Sequence, residues 1–253
     1  MLNWLFGKEK KMERGTALIA FDMHSHLIPG IDDGVKTLDQ SIEIIRNLHA
    51  HGYRYLVTTP HIMQGGFDNT PEIIYDGLEK VRARLAAENI PVRLDAAAEY
   101  YFDDNFISLA RAGNLMTFGD RYVLFELPAT AKPRQLEDLI FVLNTQGYRP
   151  ILAHPERYTY LHSKGLSMYA DIKDFGIQFQ CNILSFTGYY SERIQQTAQA
   201  LCDAGMVDWV GSDIHNERHT GNVIQALQDD YLYKISRDPN LMNHKMAAPE
   251  QPV

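Results

Sequence analysis

The chain has 253 residues, of which 45% are hydrophobic and 22% charged, and a formal net charge of −8 at pH 7. These are ordinary globular values, so they exclude a disordered or fibrous chain, and a single α/β domain can be this long. The acidic charge is spread along the sequence, which argues against a nucleic-acid partner, and no apolar run is long enough to cross a membrane.

Both ends of the chain are predicted to be tails around one domain at residues 17–237. Residues 1–16 place Trp4 and Phe6 ahead of a group of lysines, the reverse of the order in a secretory signal. We expect a loosely ordered terminus there, with docking on a membrane surface or a partner as the alternative. Residues 238–253 show no hydrophobic periodicity.

Between the tails, short β-rich runs alternate with helix-length amphipathic stretches. The first β-rich run, from Leu18, ends in His24 and His26, and Thr37 with Gln40 forms a capping box that begins a helix ending at Gly52. A second β-rich run ends at His61, and Thr70-Pro71 begins the next helix. The later predicted strands are residues 92–99, 121–126, 149–154, 177–182 and 207–211, and the later helices are residues 106–112, 133–146, 167–175, 191–203 and 221–235.

This order predicts seven parallel strands, each followed by a helix. Parallel strands with crossover helices close into a barrel, and the active site of such a barrel lies at the carboxyl ends of its strands. Polar side chains at those ends are therefore expected to converge in one pocket.

Histidine, aspartate and glutamate residues lie at those expected strand ends. The candidate metal ligands are His24, His26, Asp33, His61, Glu99, Glu126, His154, Asp213 and His215. Two pairs, His-x-His and Asp-x-His, have the period of a strand, so both members of each pair project to the same side. Any one of these residues could be a satisfied interior polar group, and Asp32 with Asp33 could be a solvated turn. Their recurrence favours a shared cation, because a buried carboxylate without a partner is strongly disfavoured.

The chemistry of this set restricts the metal. Imidazoles and carboxylates without a thiolate suit Mn²⁺, Fe²⁺ or Zn²⁺, and affinity order alone does not choose among them. His219 lies close enough in sequence to Asp213 to be a candidate for supporting the ligands, whereas His49 and His51 at a helix end are expected on the surface.

The cysteines do not provide a second mechanism. Cys181 and Cys202 are too few for a disulfide framework and are expected to be small buried residues in a reducing cytoplasm. A thiol phosphatase needs Cys-x5-Arg, but the sixth residues after the two cysteines are Thr187 and Asp208. No Gly-x4-Gly-Lys loop supports nucleotide-driven phosphoryl transfer.

Six motifs together resemble those of the polymerase and histidinol phosphatase (PHP) superfamily, in matching order from about residue 20 to 220. They are Phe21–Gly34, Thr59–His61, Ala98–Tyr101, Phe125–Pro128, His154–Tyr158 and Gly211–Asn216. Within the superfamily they are most similar to the bacterial manganese-dependent tyrosine-protein phosphatases found with capsule and exopolysaccharide genes. The resemblance implies an α/β fold, a distorted seven-stranded TIM-like barrel with three metal ions, of manganese or else iron or zinc.

The resemblance also implies a role for each ligand. A first ion is expected at His24, His26, Glu99 and Asp213; Glu99 bridges to a second ion at Glu126 and His154; a third ion takes Asp33, His61 and His215. Arg157 is the expected phosphate clamp and Arg218 a second one, since guanidinium binds phosphate oxygens in a fork. For each arginine a surface ion pair is the alternative.

The expected activity is metal-dependent hydrolysis of phosphotyrosine on a protein, such as a tyrosine kinase of polysaccharide export. The expected location is the cytoplasm, with membrane association through a partner as the alternative. A small-molecule phosphatase of the same superfamily, acting on histidinol phosphate or a sugar phosphate, is the first alternative. A metal-loaded binding module without turnover is the second. The sequence leaves open whether Tyr100 and Tyr101 hold the phenyl ring.

Overall fold

The computed structural model describes residues 18–247, which form an α/β structure with parallel sheets. The strands are β1 (Phe21–Asp22), β2 (Tyr55–Thr58), β3 (His61–Ile62), β4 (Arg93–Ala96), β5 (Glu99–Tyr101), β6 (Tyr122–Glu126), β7 (Arg149–Ala153), β8 (Gln178–Asn182) and β9 (Trp209–Gly211). The α-helices are α1 (Leu38–Ala50), α2 (Pro71–Ala87), α3 (Asp104–Ala112), α4 (Leu136–Thr145), α5 (Ser167–Lys173), α6 (Glu192–Asp203), α7 (Glu217–Ala226), α8 (Asp230–Ile235) and α9 (Met242–Ala247). Short 3-10 helices cover Pro155–Arg157, Thr159–Lys164 and Ile183–Thr187.

The strands form two parallel sheets, with the orders β1-β2-β4 and β3-β5-β6-β7-β8-β9. Two of the seven predicted runs are each divided into two strands, β2 with β3 and β4 with β5. Pro60 lies at the first break, where it has no N–H to donate to a ladder. Within the described residues the two sheets do not join into one closed sheet, although a parallel bridge pairs Ser25 with Ile214.

The helix starts follow the predicted capping signals. The Thr37 side chain accepts the N–H of Gln40 and the Gln40 side chain reaches back, completing the capping box. Thr70 accepts the N–H of Ile73 at the start of α2. The predicted helix at residues 221–235 is instead two helices, because Asp229 caps a new helix by accepting the N–H of Tyr231.

The C-terminal region differs from the expected aperiodic tail, because residues 242–247 form α9. Asn243 is buried, donates to the carbonyls of Phe21 (3.0 Å) and Val210 (2.9 Å), and accepts the N–H of Val210 (3.0 Å). α9 therefore ties the start of β1 to β9. A six-residue helix held by one buried amide has too few apolar positions to show a period. The predicted N-terminal tail lies outside the described residues.

The core has two parts. The larger part lies between the sheets and the surrounding helices, and a smaller cluster lies around Phe21, Met23, Phe118 and Trp209, with Met242 and Met246 of α9 packed against it. Cys181 is fully buried, as expected, and Cys202 is partly buried. Among the described helices, none is long and apolar enough to cross a membrane.

Candidate metal centre

The nine predicted ligands come from different strand ends and meet at one edge of the sheets. His24 and His26 follow β1, Asp33 lies in the next loop, His61 begins β3, Glu99 begins β5, Glu126 ends β6, His154 follows β7, and Asp213 and His215 follow β9. They fall into four overlapping groups whose donor atoms lie within 4.8 Å of one another: His26, Asp33, His61 and His215; His24, His26 and Asp213; His24, Glu99 and His154; and His61, Glu99 and Glu126.

Glu99 lies at the centre of this arrangement. Its Oε2 is 3.1 Å from His24 Nε2 and 3.3 Å from His61 Nδ1, and its Oε1 is 3.1 Å from His154 Nε2. The carboxylate is almost fully buried. With His26 Nε2 at 3.4 Å from Oε2, the two oxygens of this carboxylate face four imidazoles, which is the position expected of a bridging ligand.

Two imidazole nitrogens provide a test of whether the site fits cations. His26 Nε2 and His61 Nδ1 are buried and have no hydrogen-bond partner among residues 18–247. Each is 3.3 to 3.4 Å from Glu99 Oε2 without hydrogen-bonding geometry. Buried polar atoms are rarely left unpaired, because each costs about 1–3 kcal/mol. Nitrogens and carboxylate oxygens that face one another in this way fit a shared cation.

The electrostatics of the cluster support the same conclusion. Burial opposes ionisation of Glu99 and Asp213, but His24 and the neighbouring imidazoles hold the pKa of both carboxyls well below the usual range. Burial and the charges of Glu99 and Asp213 raise the pKa of Glu126 to about 9. Glu126 is thus protonated near neutral pH unless a cation offsets its neighbours.

Two of the histidines, His24 and His154, differ in their expected charge at neutral pH. Burial disfavours the charged form of His24, yet Glu99 and Asp213 outweigh it and raise its pKa to about 9. Burial and then Arg157 lower the pKa of His154 to about 4. His154 is therefore neutral at pH 7, the form that a metal ligand requires, and His24 must lose a proton to become one.

The cluster opens into a cavity of about 520 Å³. All of the predicted ligands except the buried His24 and His26 line it, together with Arg157. The guanidinium of Arg157 donates to Asp213 Oδ2 (3.1 Å) and lies 4.9 Å from the centre of the Tyr190 ring. A cavity of about 610 Å³ elsewhere, beside Arg82 and Lys245, contains none of the predicted ligands.

A family model described as capsular polysaccharide synthesis, CpsB/CapC, matches residues 20–237. The chain belongs to the CpsB/CapC family. It is 27% identical over 244 residues to the tyrosine-protein phosphatase YwqE of Bacillus subtilis, covering 92% of this chain and 96% of that protein. It is also 27% identical over 203 residues to the tyrosine-protein phosphatase CpsB of Streptococcus pneumoniae, covering 77% of this chain and 82% of that protein.

Solved structures agree with this assignment. A chain from the crystal structures of YwqE from Bacillus subtilis and CpsB from Streptococcus pneumoniae, described as unique metal-dependent tyrosine phosphatases, superposes with a TM-score of 0.77 at 26% identity. The match covers 92% of this chain and 99% of that chain. A resiniferatoxin-binding protein from Rhodobacter sphaeroides matches with a TM-score of 0.54 at 13% identity, over 92% of this chain and 91% of that one. This second match concerns the fold alone.

In this CpsB/CapC chain, Asp32 orients the predicted ligand His26, whereas the sequence left Asp32 as a solvated turn or a ligand. Asp32 is buried, its Oδ2 is 2.8 Å from His26 Nδ1, and it also accepts the N–H groups of Gly34 and His61. The loop must pass very close to His26, since a Cβ on Gly34 would lie 2.4 Å from His26 Cβ. Asp32 therefore fixes the ring so that Nε2 faces the cluster.

Strand β8 contributes no predicted ligand but supports two of them. Gln180 Oε1 is 2.8 Å from His24 Nδ1, the Gln180 amide donates to Asn182 Oδ1 (2.9 Å), and the Asn182 amide donates to Asp213 Oδ2 (2.7 Å). Both side chains are fully buried. The sequence analysis missed them, although their period-two spacing at a strand end was the available signal.

Two of the predicted ligands, His154 and Asp213, have a strained backbone. His154 has φ 36° and Asp213 has φ 51°, in the left-handed region that residues with a side chain rarely adopt. Such strain persists where the surrounding structure imposes it, and it clusters at functional sites. In the CpsB/CapC chain it turns both side chains from the strand direction toward the cluster.

The two arginines predicted to bind phosphate are in different positions. Arg157 lines the cavity, but Arg218 lies exposed in the first turn of α7 and does not line it. Asn216 and His219 line that side instead, and His219 Nδ1 accepts the N–H of His215 (3.4 Å). Asn216 caps α7, which places residue 218 on the outer face.

The tyrosine pair left open by the sequence does not line the cavity among the described residues. Tyr100 is buried, and its hydroxyl accepts the N–H of Met116 (2.7 Å). Tyr101 is half-buried at the end of β5. Tyr101 nevertheless pairs with Glu126 across the sheet, and burial and the charge of Glu126 raise the pKa of its phenol.

Proposed function

We propose that this CpsB/CapC protein is a metal-dependent protein-tyrosine phosphatase. The observation that carries the proposal is the convergence of nine His, Asp and Glu side chains, Glu99 among them, beside a cavity lined by one arginine. The relatives named tyrosine-protein phosphatases, which match most of the chain, support the same activity.

Three divalent cations, which we take to be manganese, would be held by these ligands. The first would lie at His24, His26, Glu99 and Asp213, the second at Glu99, Glu126 and His154, and the third at Asp33, His61 and His215. Two of the donor groups support this division, one with Asp33, His61 and His215 and one with His24, His26 and Asp213. The other two groups span neighbouring ions, and both contain Glu99, the proposed bridge. When bound, such cations lower the pKa of a coordinated water and neutralise charge on a phosphoryl group.

Arg157 would bind the phosphate oxygens that face away from the ligands. Its guanidinium is held at the cavity wall by Asp213 and by stacking on Tyr190, so it is positioned before substrate arrives. Charge-assisted, forked contacts of this kind are among the stronger hydrogen bonds in proteins. Arg218 would join as a second clamp only if its exposed side chain turned toward the cavity.

The proposed leaving group is a phenolate. Its parent phenol has a pKa of about 10, so it departs with less proton assistance than an alkoxide, and the site does not need a dedicated acid. Cys181 is fully buried and its pKa is raised, first by burial. This thiol is therefore unsuited to act as a nucleophile.

We extend the proposal to the architecture, a distorted seven-stranded barrel of the PHP type. The divided runs β2 with β3 and β4 with β5 would each count as one barrel strand. The Ser25 to Ile214 bridge and the Asn243 contacts to Phe21 and Val210 would close the gap between the first and last strands.

In the cell, we propose a cytoplasmic enzyme acting on a tyrosine-phosphorylated kinase of capsule or exopolysaccharide export. The family description supports the pathway. The kinase is inferred from the resemblance of the sequence motifs.

Turnover of para-nitrophenyl phosphate by the manganese-loaded protein tests the reaction. Competition between a phosphotyrosyl peptide and histidinol phosphate then tests the substrate. We expect the peptide to be hydrolysed with the higher kcat/KM. Preference for histidinol phosphate would support the small-molecule alternative, and no turnover of any phosphomonoester would support a binding module.

A further inference from the structure

The cavity beside the metal centre has a small apolar wall that none of the predicted site residues explains. Most of its lining is charged or polar, and the apolar side chains are Met63 and Phe67, with the Tyr190 ring as a further aromatic surface. Met63 and Phe67 are both half-buried. They belong to the turn that follows β3, which carries His61 into the cluster.

This turn is held by its own backbone. The N–H and carbonyl of Met63 bond to the carbonyl and N–H of Phe67, both at 2.9 Å. At the tip, Gln64 donates its N–H to Asp103 Oδ2 (2.9 Å) and Gly65 donates to Asp68 Oδ1 (2.7 Å). The apolar wall therefore needs little ordering when a ligand arrives, which lowers the entropic cost of binding.

A second anchor joins the turn to the metal centre. The Asn69 amide donates to the carbonyls of His61 (2.8 Å) and Ile31 (2.9 Å), which tie it to the strand and to the loop before Asp33. The Phe67 ring stacks on His61, with ring centres 5.4 Å apart and planes 12° from parallel. The Phe67 ring thus shares the cavity wall with Arg157, the proposed phosphate clamp.

We infer that Met63 and Phe67 form an aryl-binding wall that selects phosphate esters of a phenol over those of an alcohol. The inference rests on the proposed function for the position of the phosphate. In an aryl phosphate the ring follows the ester oxygen at once, so it lies within reach of the wall, whereas an alkyl ester offers much less surface there. Aromatic contacts contribute beyond simple burial, and apolar burial itself favours the ring.

Binding of two non-hydrolysable ligands tests the wall without turnover. Phenylphosphonate and methylphosphonate share the anionic group and differ in the ring, and their Kd values on the manganese-loaded protein are measured by calorimetry. The parent protein is expected to prefer phenylphosphonate. Phe67→Ala should reduce that preference about 3- to 10-fold by weakening phenylphosphonate alone.

Two further variants separate recognition from support of His61. Met63→Ala should reduce the same preference by a smaller factor, and Phe141→Ala, which removes a 72% exposed ring from α4, should leave it unchanged. Bound manganese is measured in every variant by elemental analysis. If Phe67→Ala weakens both phosphonates equally, or lowers the manganese content, Phe67 supports the metal centre and the aryl wall is rejected.

The outcome is distinguishable from that of the proposed function. If the parent protein shows no preference for phenylphosphonate, the wall is rejected even when a phosphotyrosyl peptide is hydrolysed. If the preference exists and is lost in Phe67→Ala and Met63→Ala while that peptide is not hydrolysed, the wall stands as an aryl site and the phosphatase proposal fails.

Discussion

At the two ends of the parallel strands, the buried polar side chains of α9 and of the candidate metal centre differ in whether they have hydrogen-bond partners. At the starts of β1 and β9, the buried amide of Asn243 donates and accepts hydrogen bonds, and α9 covers an aromatic cluster. At the opposite end, His26 and His61 each keep a buried nitrogen without a partner among residues 18–247. Asn243 thus stabilises the fold at one end, and the two unpaired imidazole nitrogens at the other fit the metal site proposed above.

Removal of metal should have the largest effect of the changes considered, because it acts at the end of the strands where the proposed ligands lie. Exhaustive chelation should abolish phosphatase activity, and added Mn²⁺ should restore it, because every proposed ligand is a His, Asp or Glu that faces others across a short gap. Activity and bound metal are measured on the same samples. Undiminished turnover in protein shown by elemental analysis to be metal-free would reject the metal mechanism.

The Glu99→Gln substitution should have the second-largest effect on activity. The substitution removes charge from the side chain that faces four imidazoles. We therefore expect kcat to fall by about 10³ or more while the chain stays folded. Steady-state kinetics measure the fall in kcat, and circular dichroism checks that the variant is folded. A near-normal rate would remove Glu99 from the bridging role.

Arg157→Ala removes the proposed phosphate contact and leaves every proposed metal ligand in place. We expect kcat/KM to fall by about 30- to 1,000-fold with the metal content unchanged, and Arg157→Lys to recover part, since it keeps the charge but loses the planar fork. Arg218→Ala is the matched comparison on the exposed face. If Arg157→Ala behaves like the parent while Arg218→Ala does not, the clamp must be reassigned.

Manganese affinity should rise with pH. His24 and Glu126 both have a pKa near 9 without metal, His24 because Glu99 and Asp213 outweigh the effect of burial, and Glu126 because of burial and those same acids. Both groups are protonated at pH 7 and must release protons on binding, so affinity should increase by about 10- to 100-fold per unit between pH 7 and 8. Calorimetry in buffers of different ionisation enthalpy counts the protons. Binding without proton release would contradict these protonation states.

Asn243→Ala should have the smallest effect and act at the other end. It leaves buried backbone groups of Phe21 and Val210 without their side-chain partner, so the free energy of unfolding should fall by about 1–3 kcal/mol. Turnover per folded molecule should stay near that of the parent. Asn47→Ala, which removes the hydrogen bond from the Asn47 side-chain amide to Glu43 on the surface of α1, is the control and should lower the free energy of unfolding far less. Equal losses in both variants would mean that α9 does not secure the strand ends.

Much of the site could be predicted because the sequence signals for its residues lie within a few positions of each residue. His24, His61 and His154 end or follow β-rich runs, and parallel strands bring such ends together whatever the loops do. Capping residues such as Thr37 and Thr70 also act within a few positions of their own helix starts. The match of the family model to residues 20–237 agrees with the resemblance found in the same motifs.

What the sequence by itself determined was the order of strands and helices and the set of polar residues at the strand ends, since periodicity and capping depend on near neighbours. Tertiary structure alone decided which polar residues support others, as with Gln180 and Asn182, and which long side chain enters the cavity, as with Arg157 rather than Arg218. It also made residues 242–247 of the expected C-terminal tail a helix, anchored by Asn243, whose partners lie 33 and 222 positions away. Contacts over such separations leave no period in the chain, so only the folded molecule shows them.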